Sequence, residues 1–545
     1  MPDWRTLASR VVAVLFLNAA LTFQTLWPTP AVSWRGEPSA ELAFLIAGLA
    51  IILPLHVAHT RARRLARVLT GVWLVLALGR YIDVTAPALW GRELNLYWDT
   101  QFLPDVARML AGASKRAVLL GITAGIAALL LLALLAAAMR WAFGQLLAAL
   151  AERRGRAVLG GMAGLALVGY ALQVSGAFGV DLLGDERRVF PKPVTQVYAR
   201  QAKLVVTALA GTTALPASPV LDAPLERLDG ADVLLFFLES YGAVTFENPA
   251  FASQLEEPRA ELAAALADTG RSVVSAFVES PTFGGSSWFA HISFLSGLRI
   301  ADPDANALLM TEKRPTLVSA FAAHGYRTIA VMPGLRSSWP EGAFYGFNDI
   351  YNGERLHYEG PPFGWWDLPD QFTLAQLRQE ELTRQDRAPR FVFFPTITTH
   401  MPFSPRPPYQ RDWARVVTPD PFDEADLTRA YLDEPDWLNL SPAYLGSVGY
   451  AYRMLAGFLR QPSSRDSLLI LIGDHQPPAL VAGEGASWNV PVHIITTRED
   501  IVESLLRRGF GRGLTPPPGT LAQMHELTPL LMNTFGGARE FGGTR

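Results

Sequence analysis

Asp232-Val233-Leu234-Leu235-Phe236-Phe237-Leu238-Glu239-Ser240 is a β-rich run, apolar on both faces, that ends in a carboxylate and a hydroxyl. A strand without a polar face belongs in a sheet covered on both sides by helices. Comparable runs recur at Ser272–Val278, Thr328–Met332, Phe391–Thr396, Ser467–Ile472 and Val490–Ile495, with helical patterns between them at 257–268, 287–296, 315–324, 372–381 and 442–460. Strands that alternate with helices predict an α/β domain over 230–545 with a central, mostly parallel sheet. Such sheets bind ligands beyond the carboxyl ends of their strands, where Glu239 stands.

Two more segments close or follow strands in the same way. Leu471-Ile472-Gly473-Asp474-His475-Gln476-Pro477 ends a strand in an adjacent carboxylate and imidazole. Gly284-Gly285-Ser286-Ser287-Trp288-Phe289-Ala290-His291 is a glycine turn that opens a helix. Taken singly, each has an ordinary explanation: a solvated strand cap, a common dipeptide, a loop. Together they are specific. Glu239, Asp474 and His475 can hold one divalent cation, Mn²⁺ or Zn²⁺ with Mg²⁺ as a further candidate, and leave a position for a nucleophile. Ser287 at a helix N-terminus would have its pKa lowered by that ion, and the helix dipole would stabilise an incoming phosphate. Ser286 is the neighbouring candidate nucleophile.

The first third has another character. Apolar runs of about 20 residues, enough to cross a bilayer, lie near 9–27, 41–59, 65–82, 117–138 and 157–178, which predicts about five α-helical spans over 1–180. Arg61, Arg63, Arg64 and Arg67 crowd one connecting loop, and Arg140, Arg153, Arg154 and Arg156 another. The loops near 28–40 and 83–116 mix both signs. The positive-inside rule then puts the N-terminus in the cytoplasm, and an odd number of spans carries everything after about residue 180 across the membrane. The Tyr81–Asp99 loop, rich in Trp and Tyr, reads as an aromatic belt at the membrane surface. Residues 181–229 form an interfacial connector in which 197–209 is a helix lying on the membrane, followed by the breaks Pro216, Pro219 and Pro224.

Composition agrees with a membrane part joined to a soluble part. Of 545 residues 50% are hydrophobic, yet 18% are charged. The net charge of -3 argues against nucleic-acid binding, and zero cysteines exclude thiol catalysis, disulfides and thiolate metal sites.

With these segments in this order, the chain resembles the alkaline phosphatase/sulfatase superfamily. It looks closest to the membrane branch of lipoteichoic acid synthases, phosphoglycerol transferases and phosphoethanolamine transferases. The resemblance implies that Glu239, Ser287, Asp474 and His475 bind the metal, that Ser287 is the nucleophile, and that Leu295-Ser296-Gly297 ends its helix. It also implies that His400, in His400-Met401-Pro402-Phe403, contacts the phosphoryl group. Weaker echoes are Gly346-Phe347-Asn348-Asp349, Trp366 through Asp370, and Leu527-Thr528-Pro529-Leu530-Leu531. His291, Arg336 and Trp339 are candidates for substrate binding, whereas Trp365 and Trp366 read as core or membrane anchors. The sulfatase signature Cys/Ser-x-Pro-x-Arg is absent, since Phe289 and His291 stand where its proline and arginine would be. Ser287 is therefore expected to remain serine.

The expected activity is transfer of a phospholipid head group, phosphoglycerol or phosphoethanolamine, to a glycan or lipid hydroxyl through a phospho-serine intermediate. The expected place is the extracytoplasmic (periplasmic) face of a bacterial cytoplasmic membrane. Two other readings stand beside it. Water as acceptor would make the protein a phosphodiesterase, phosphatase or sulfatase-like hydrolase, and loss of catalysis would leave a membrane protein that binds a polymer or partner.

Overall fold

In a computed structural model of the chain, the structure describes residues 4–25, 32–34, 36–53, 59–90, 94, 99–100, 115–175, 189–210, 215–335, 339, 342–364 and 366–536. The chain divides into two compact units, one of residues 1–88 and 93–210, the other of 89–92 and 211–545.

The first unit is helical: α1 (Trp4–Thr22), α2 (Ala40–Ile52), α3 (His59–Trp90), α4 (Lys115–Ala151), α5 (Arg153–Val174) and α6 (Val194–Ala210). Among the described residues, α1, α3, α4 and α5 are long and apolar enough to cross a membrane. The expected span at 41–59 contains α2, which has 13 residues. At ~1.5 Å per residue it covers about 20 Å, short of a hydrocarbon core of about 30 Å. Ser39 starts α2 by accepting the Leu42 N–H.

Leu17, Leu42, Ile46, Trp73, Phe143 and Leu146 pack together in the core of this unit, with Trp73 edge-on to Phe143 at 5.4 Å. Two expected loops are helix instead. Arg140 lies inside α4 and only Glu152 separates α4 from α5, while Tyr81 through Trp90 continue α3. Residues 95–98 of the expected aromatic loop lie outside the described residues. Helix α6 is held within this unit: Val194 is fully buried and the Tyr198 hydroxyl donates to the Val75 carbonyl at 2.7 Å.

The second unit is built on nine strands: β1 (Asp232–Leu238), β2 (Ser272–Glu279), β3 (Arg327–Met332), β4 (Asp349–Asn352), β5 (Arg390–Pro395), β6 (Ser467–Gly473), β7 (Asn489–Thr496), β8 (Gly511–Arg512) and β9 (Thr520–Gln523). Their order is β8-β2-β7-β6-β1-β5-β3-β4, with β9 beside β2. The block β6-β1-β5-β3-β4 is parallel throughout, and β7 runs against both β6 and β2.

All seven residues of β1 are buried, because helices cover both of its faces. Val233, Leu235 and Phe237 join one core with the helix Ser287–Ser296. Leu234, Phe236 and Leu238 join the other with the helices Glu256–Asp268 and Ser441–Leu459. These three helices are α8, α7 and α10, and Asp370–Leu377 is α9. The alternation follows the two-residue period of a strand. At the start of β1, Asp232 accepts both terminal nitrogens of Arg387 and the Arg390 N–H, while Arg390 pairs with Glu381. These buried charges are matched, as burial requires.

Candidate active site

Strand register brings the site together. Leu238 pairs with Gly473 and Phe237 with Pro395, so the residues that follow, Glu239, Asp474 and Thr396, leave three neighbouring strands at one level. The Glu239 N–H donates to Thr396 Oγ1 at 3.0 Å, and the Ser240 N–H to Asp474 Oδ1 at 2.8 Å. Two glycines permit this approach. A Cβ on Gly473 would fall 1.9 Å from the Tyr241 carbonyl oxygen, and one on Gly242 would fall 1.8 Å from Gln476 Oε1.

The third segment arrives from the opposite core face. Thr282 Oγ1 donates to the Gly285 carbonyl, Gly284 N–H donates to the Gln476 carbonyl, and Ser286 takes a left-handed conformation (φ 61°) before α8 begins at Ser287. Ser240 (φ 56°) and Phe403 (φ 67°) are left-handed too. Non-glycine residues in this region are strained, so the packing must impose the conformation at each of these turns. Ser286 does not cap the N-terminus of α8 through its side chain; the Phe289 N–H donates to the Ser286 carbonyl, and the N–H groups before it are open to an anion.

Ser287 Oγ donates to Glu239 Oε2 at 2.7 Å and lies 3.2 Å from His475 Nε2, which is itself 3.4 Å from Glu239 Oε1. Ligand atoms of Glu239, Asp474 and His475 all fall within 4.8 Å of one another. His475 Nδ1 donates to the Gln476 carbonyl at 2.7 Å, which turns the Nε2 lone pair toward the cluster. Asp474 Oδ2 is buried and has no hydrogen-bond donor. An orphaned carboxylate oxygen, a correctly oriented imidazole and a second carboxylate fit a divalent cation.

The electrostatics agree. Burial pushes the Glu239 carboxyl up, but the neighbouring imidazoles of His475 and His400, with the hydrogen bond from Ser287, hold it down at about 2. Burial, reinforced by the Glu239 charge, drives Asp474 well above the carboxylate range. A bound dication would oppose this shift and favour the ionised form of both carboxylates. Burial lowers the His475 imidazole against the pull of the Glu239 charge, a shift toward the form that a ligand needs.

His400 lies in the loop after β5, close enough for its charge to act on Glu239 and His475. Its Nδ1 bonds the Met401 carbonyl at 2.7 Å, and Trp366 meets its ring edge-on at 4.7 Å. Trp366, read from the sequence as a core or membrane anchor, packs here against His400. Asp370 anchors this loop. Its buried carboxylate accepts the Ile397 N–H at 2.9 Å and the Thr398 N–H at 2.8 Å. Burial raises Asp370 to about 6 despite these amides.

The remaining candidates stand elsewhere. His291 packs edge-on between Phe237 and Phe393, at 4.6 and 5.4 Å, its Nε2 is buried without a partner, and burial lowers it to about 3. Trp339 packs on Tyr345 at 5.3 Å, and no described contact joins it to the cluster. Arg336 and Trp365 lie outside the described residues. Asp370, Thr396 and Gln476 were not singled out as site residues from the sequence. Their bonds to backbone groups leave no spacing pattern, although Asp370 closes one of the weaker echoes.

Residues 304–493 match the family model described as Sulfatase, a span that includes His400, Asp474 and His475. No curated protein sequence matches the chain. Among solved structures, it is similar to the lipoteichoic acid synthase LtaP of Listeria monocytogenes (14% identity, 61% of this chain and 78% of that one, TM-score 0.36). It is also similar to the C-terminal periplasmic domain of Escherichia coli EcEptC in complex with Zn (13% identity, 59% and 87%, TM-score 0.37). A third is the Streptococcus pyogenes phosphoglycerol transferase GacH in complex with sn-glycerol-1-phosphate (12% identity, 63% and 86%, TM-score 0.34). The family match over residues 304–493 and the mostly parallel sheet mark the second unit as a sulfatase-like domain.

Proposed function

We propose that the protein transfers a phospholipid head group, phosphoglycerol or phosphoethanolamine, to a glycan or lipid hydroxyl, with Ser287 as the nucleophile. The observation that carries this reading is the Ser287 hydroxyl, hydrogen-bonded to Glu239 and within reach of His475 at the start of an uncapped helix. Glu239, Asp474 and His475 would hold Mn²⁺, Zn²⁺ or Mg²⁺, and such an ion supplies positive charge that lowers the serine pKa and neutralises phosphoryl oxygens.

In the first half-reaction Ser287, its proton released to solvent and its Oγ oriented by Glu239 at 2.7 Å, forms a bond to phosphorus through Oγ. The bond from phosphorus to the diacylglycerol oxygen breaks, and His400 supplies the proton to that leaving oxygen. In the second half, the acceptor hydroxyl bonds to phosphorus and its proton passes to His400. The bond from Ser287 Oγ to phosphorus breaks, and Ser287 leaves as the alkoxide from which it attacked. The helix N-terminus of α8 holds the phosphoryl oxygens in both halves.

The apolar helices support a place in the bacterial cytoplasmic membrane, where the lipid donor is concentrated. The arginine-rich segments at 61–67 and 153–156 support an extracytoplasmic second unit. Incubating the full chain with Mn²⁺ and head-group-labelled phosphatidylglycerol or phosphatidylethanolamine tests the reading. Mass spectrometry should find the head group on the Ser287 peptide. Label on an added acceptor indicates transfer, and free glycerol phosphate or ethanolamine phosphate indicates hydrolysis. An unmodified Ser287 with undiminished turnover would sink it.

A further inference from the structure

A cleft of about 830 Å³ lies between the loop that follows His400 and one face of α10. Pro407 lines both this cleft and the small crevice that contains His400 and Trp366, so one residue stands between the two. The size is that of a ligand pocket rather than a packing defect.

Its charges are unevenly matched. Three arginines line it. Arg453 pairs with Glu257 and Glu261, and Arg429 pairs with Asp426. Arg406 makes no hydrogen bond or ion pair among the described residues, although it is half-buried. It lies flat on the helix where Gly446 leaves room: a Cβ there would fall 1.7 Å from Arg406 Nη1. A guanidinium held in a cleft and bonded to none of its carboxylates is a ready partner for a bidentate phosphate or carboxylate. Asp433, which also lines the cleft, has no ion-pair partner among the described residues and offers acceptors for hydroxyls, while Tyr409 and Pro408 offer flat apolar surface.

We propose that this cleft is the acceptor subsite, and that Arg406 takes the anionic group, phosphate or carboxylate, of an acidic sugar in the acceptor glycan. The assignment rests on the transferase reading above. It places the sugar beside His400, the residue that receives the proton of the acceptor hydroxyl.

Arginine labelling of the full chain with phenylglyoxal, followed by peptide mass spectrometry, tests it without requiring turnover. Arg406 should label readily. Glucose 6-phosphate or glucuronate should slow that labelling several-fold, which also separates phosphate from carboxylate, whereas glucose should not. In Gly446→Ala the displaced guanidinium should still label but should no longer be protected. Arg406→Gln should raise the KM for the protecting sugar, used as acceptor, by about tenfold or more. Equal protection by glucose, no protection by either anionic sugar, or protection that persists in Gly446→Ala would overturn the assignment. Because the labelling reports occupancy at Arg406, it fails independently of the adduct experiment at Ser287.

Discussion

Leu238 and Gly473 are paired across adjacent parallel strands, and this one pairing delivers Glu239 and Asp474 side by side at the sheet's carboxyl edge. Gly473 has no room for a Cβ, since the Tyr241 carbonyl oxygen would lie 1.9 Å away and Val490 Cβ 3.1 Å away. Gly473→Ala should therefore push the 239–241 turn from the 473–476 turn and spread the ligand set. Calorimetric titration with Mn²⁺ or Zn²⁺ should show affinity reduced by about tenfold or more, with stability lowered by about 1–3 kcal/mol from overpacking. Native affinity in that variant would mean that the close approach does not set the ligand geometry.

Ser287→Ala removes the attacking oxygen but neither carboxylate nor imidazole. Turnover should fall on the order of 10³-fold or more, while thermal unfolding stays within a few degrees of native and the metal still binds. Ser286, left-handed and without a hydrogen bond to Glu239 or His475, should tolerate alanine far better in activity assays. Comparable losses in both variants would leave the nucleophile undecided between them.

The strands were legible in the sequence wherever burial on both faces made them continuously apolar, and all six expected runs form strands of the sheet. Strands β4, β8 and β9 escaped because two to four residues at a sheet edge carry no periodic signal. Chemistry at strand ends was legible in the same way: Glu239 and the Asp474–His475 pair interrupt apolar runs, so their residue types stand out. What supports them was not. Asp370 acts through the amides of Ile397 and Thr398, and Gln476 through its carbonyl, so neither bond depends on the identity of its partner. Trp366 looked like an anchor because an apolar ring in a loop carries no mark of its neighbour, here the His400 imidazole.

Asp370 positions His400 without belonging to the cluster. In Asp370→Asn one backbone N–H of the 397–398 turn loses its acceptor and faces the new NH₂ group. The loop should shift, and a misplacement of about 1 Å can cost roughly 10²-fold in rate. A fall in kcat of about 10–100-fold with KM for the lipid donor little changed is expected, and Asp370→Glu should not rescue it because the longer side chain overreaches a buried site. A KM effect alone would assign Asp370 to substrate binding instead.

Acid stability should be governed in part by His493, which is remote from the reacting atoms. Its Nδ1 lies 2.6 Å from Ser275 Oγ, and its Nε2 lies 3.0 Å from the Tyr241 hydroxyl. Since Ser275 Oγ also donates to the Gly513 carbonyl, His493 Nδ1 must carry the imidazole proton and Nε2 must accept from Tyr241. Burial first, then the nearby Arg259 cation, lowers His493 to about 3. The unfolded chain takes up a proton near pH 6.5, whereas the folded chain does not until about pH 3. The stability associated with His493 is thus fully present above about pH 6.5 and is lost as the pH falls through that window, by up to about 1.4 kcal/mol per pH unit. Chemical unfolding of the full chain between pH 7 and 4 should show this slope. His493→Gln should be less stable at pH 7 and flatter across the window, because the variant has no imidazole to protonate on unfolding. An unchanged slope in His493→Gln would shift the acid sensitivity to other groups.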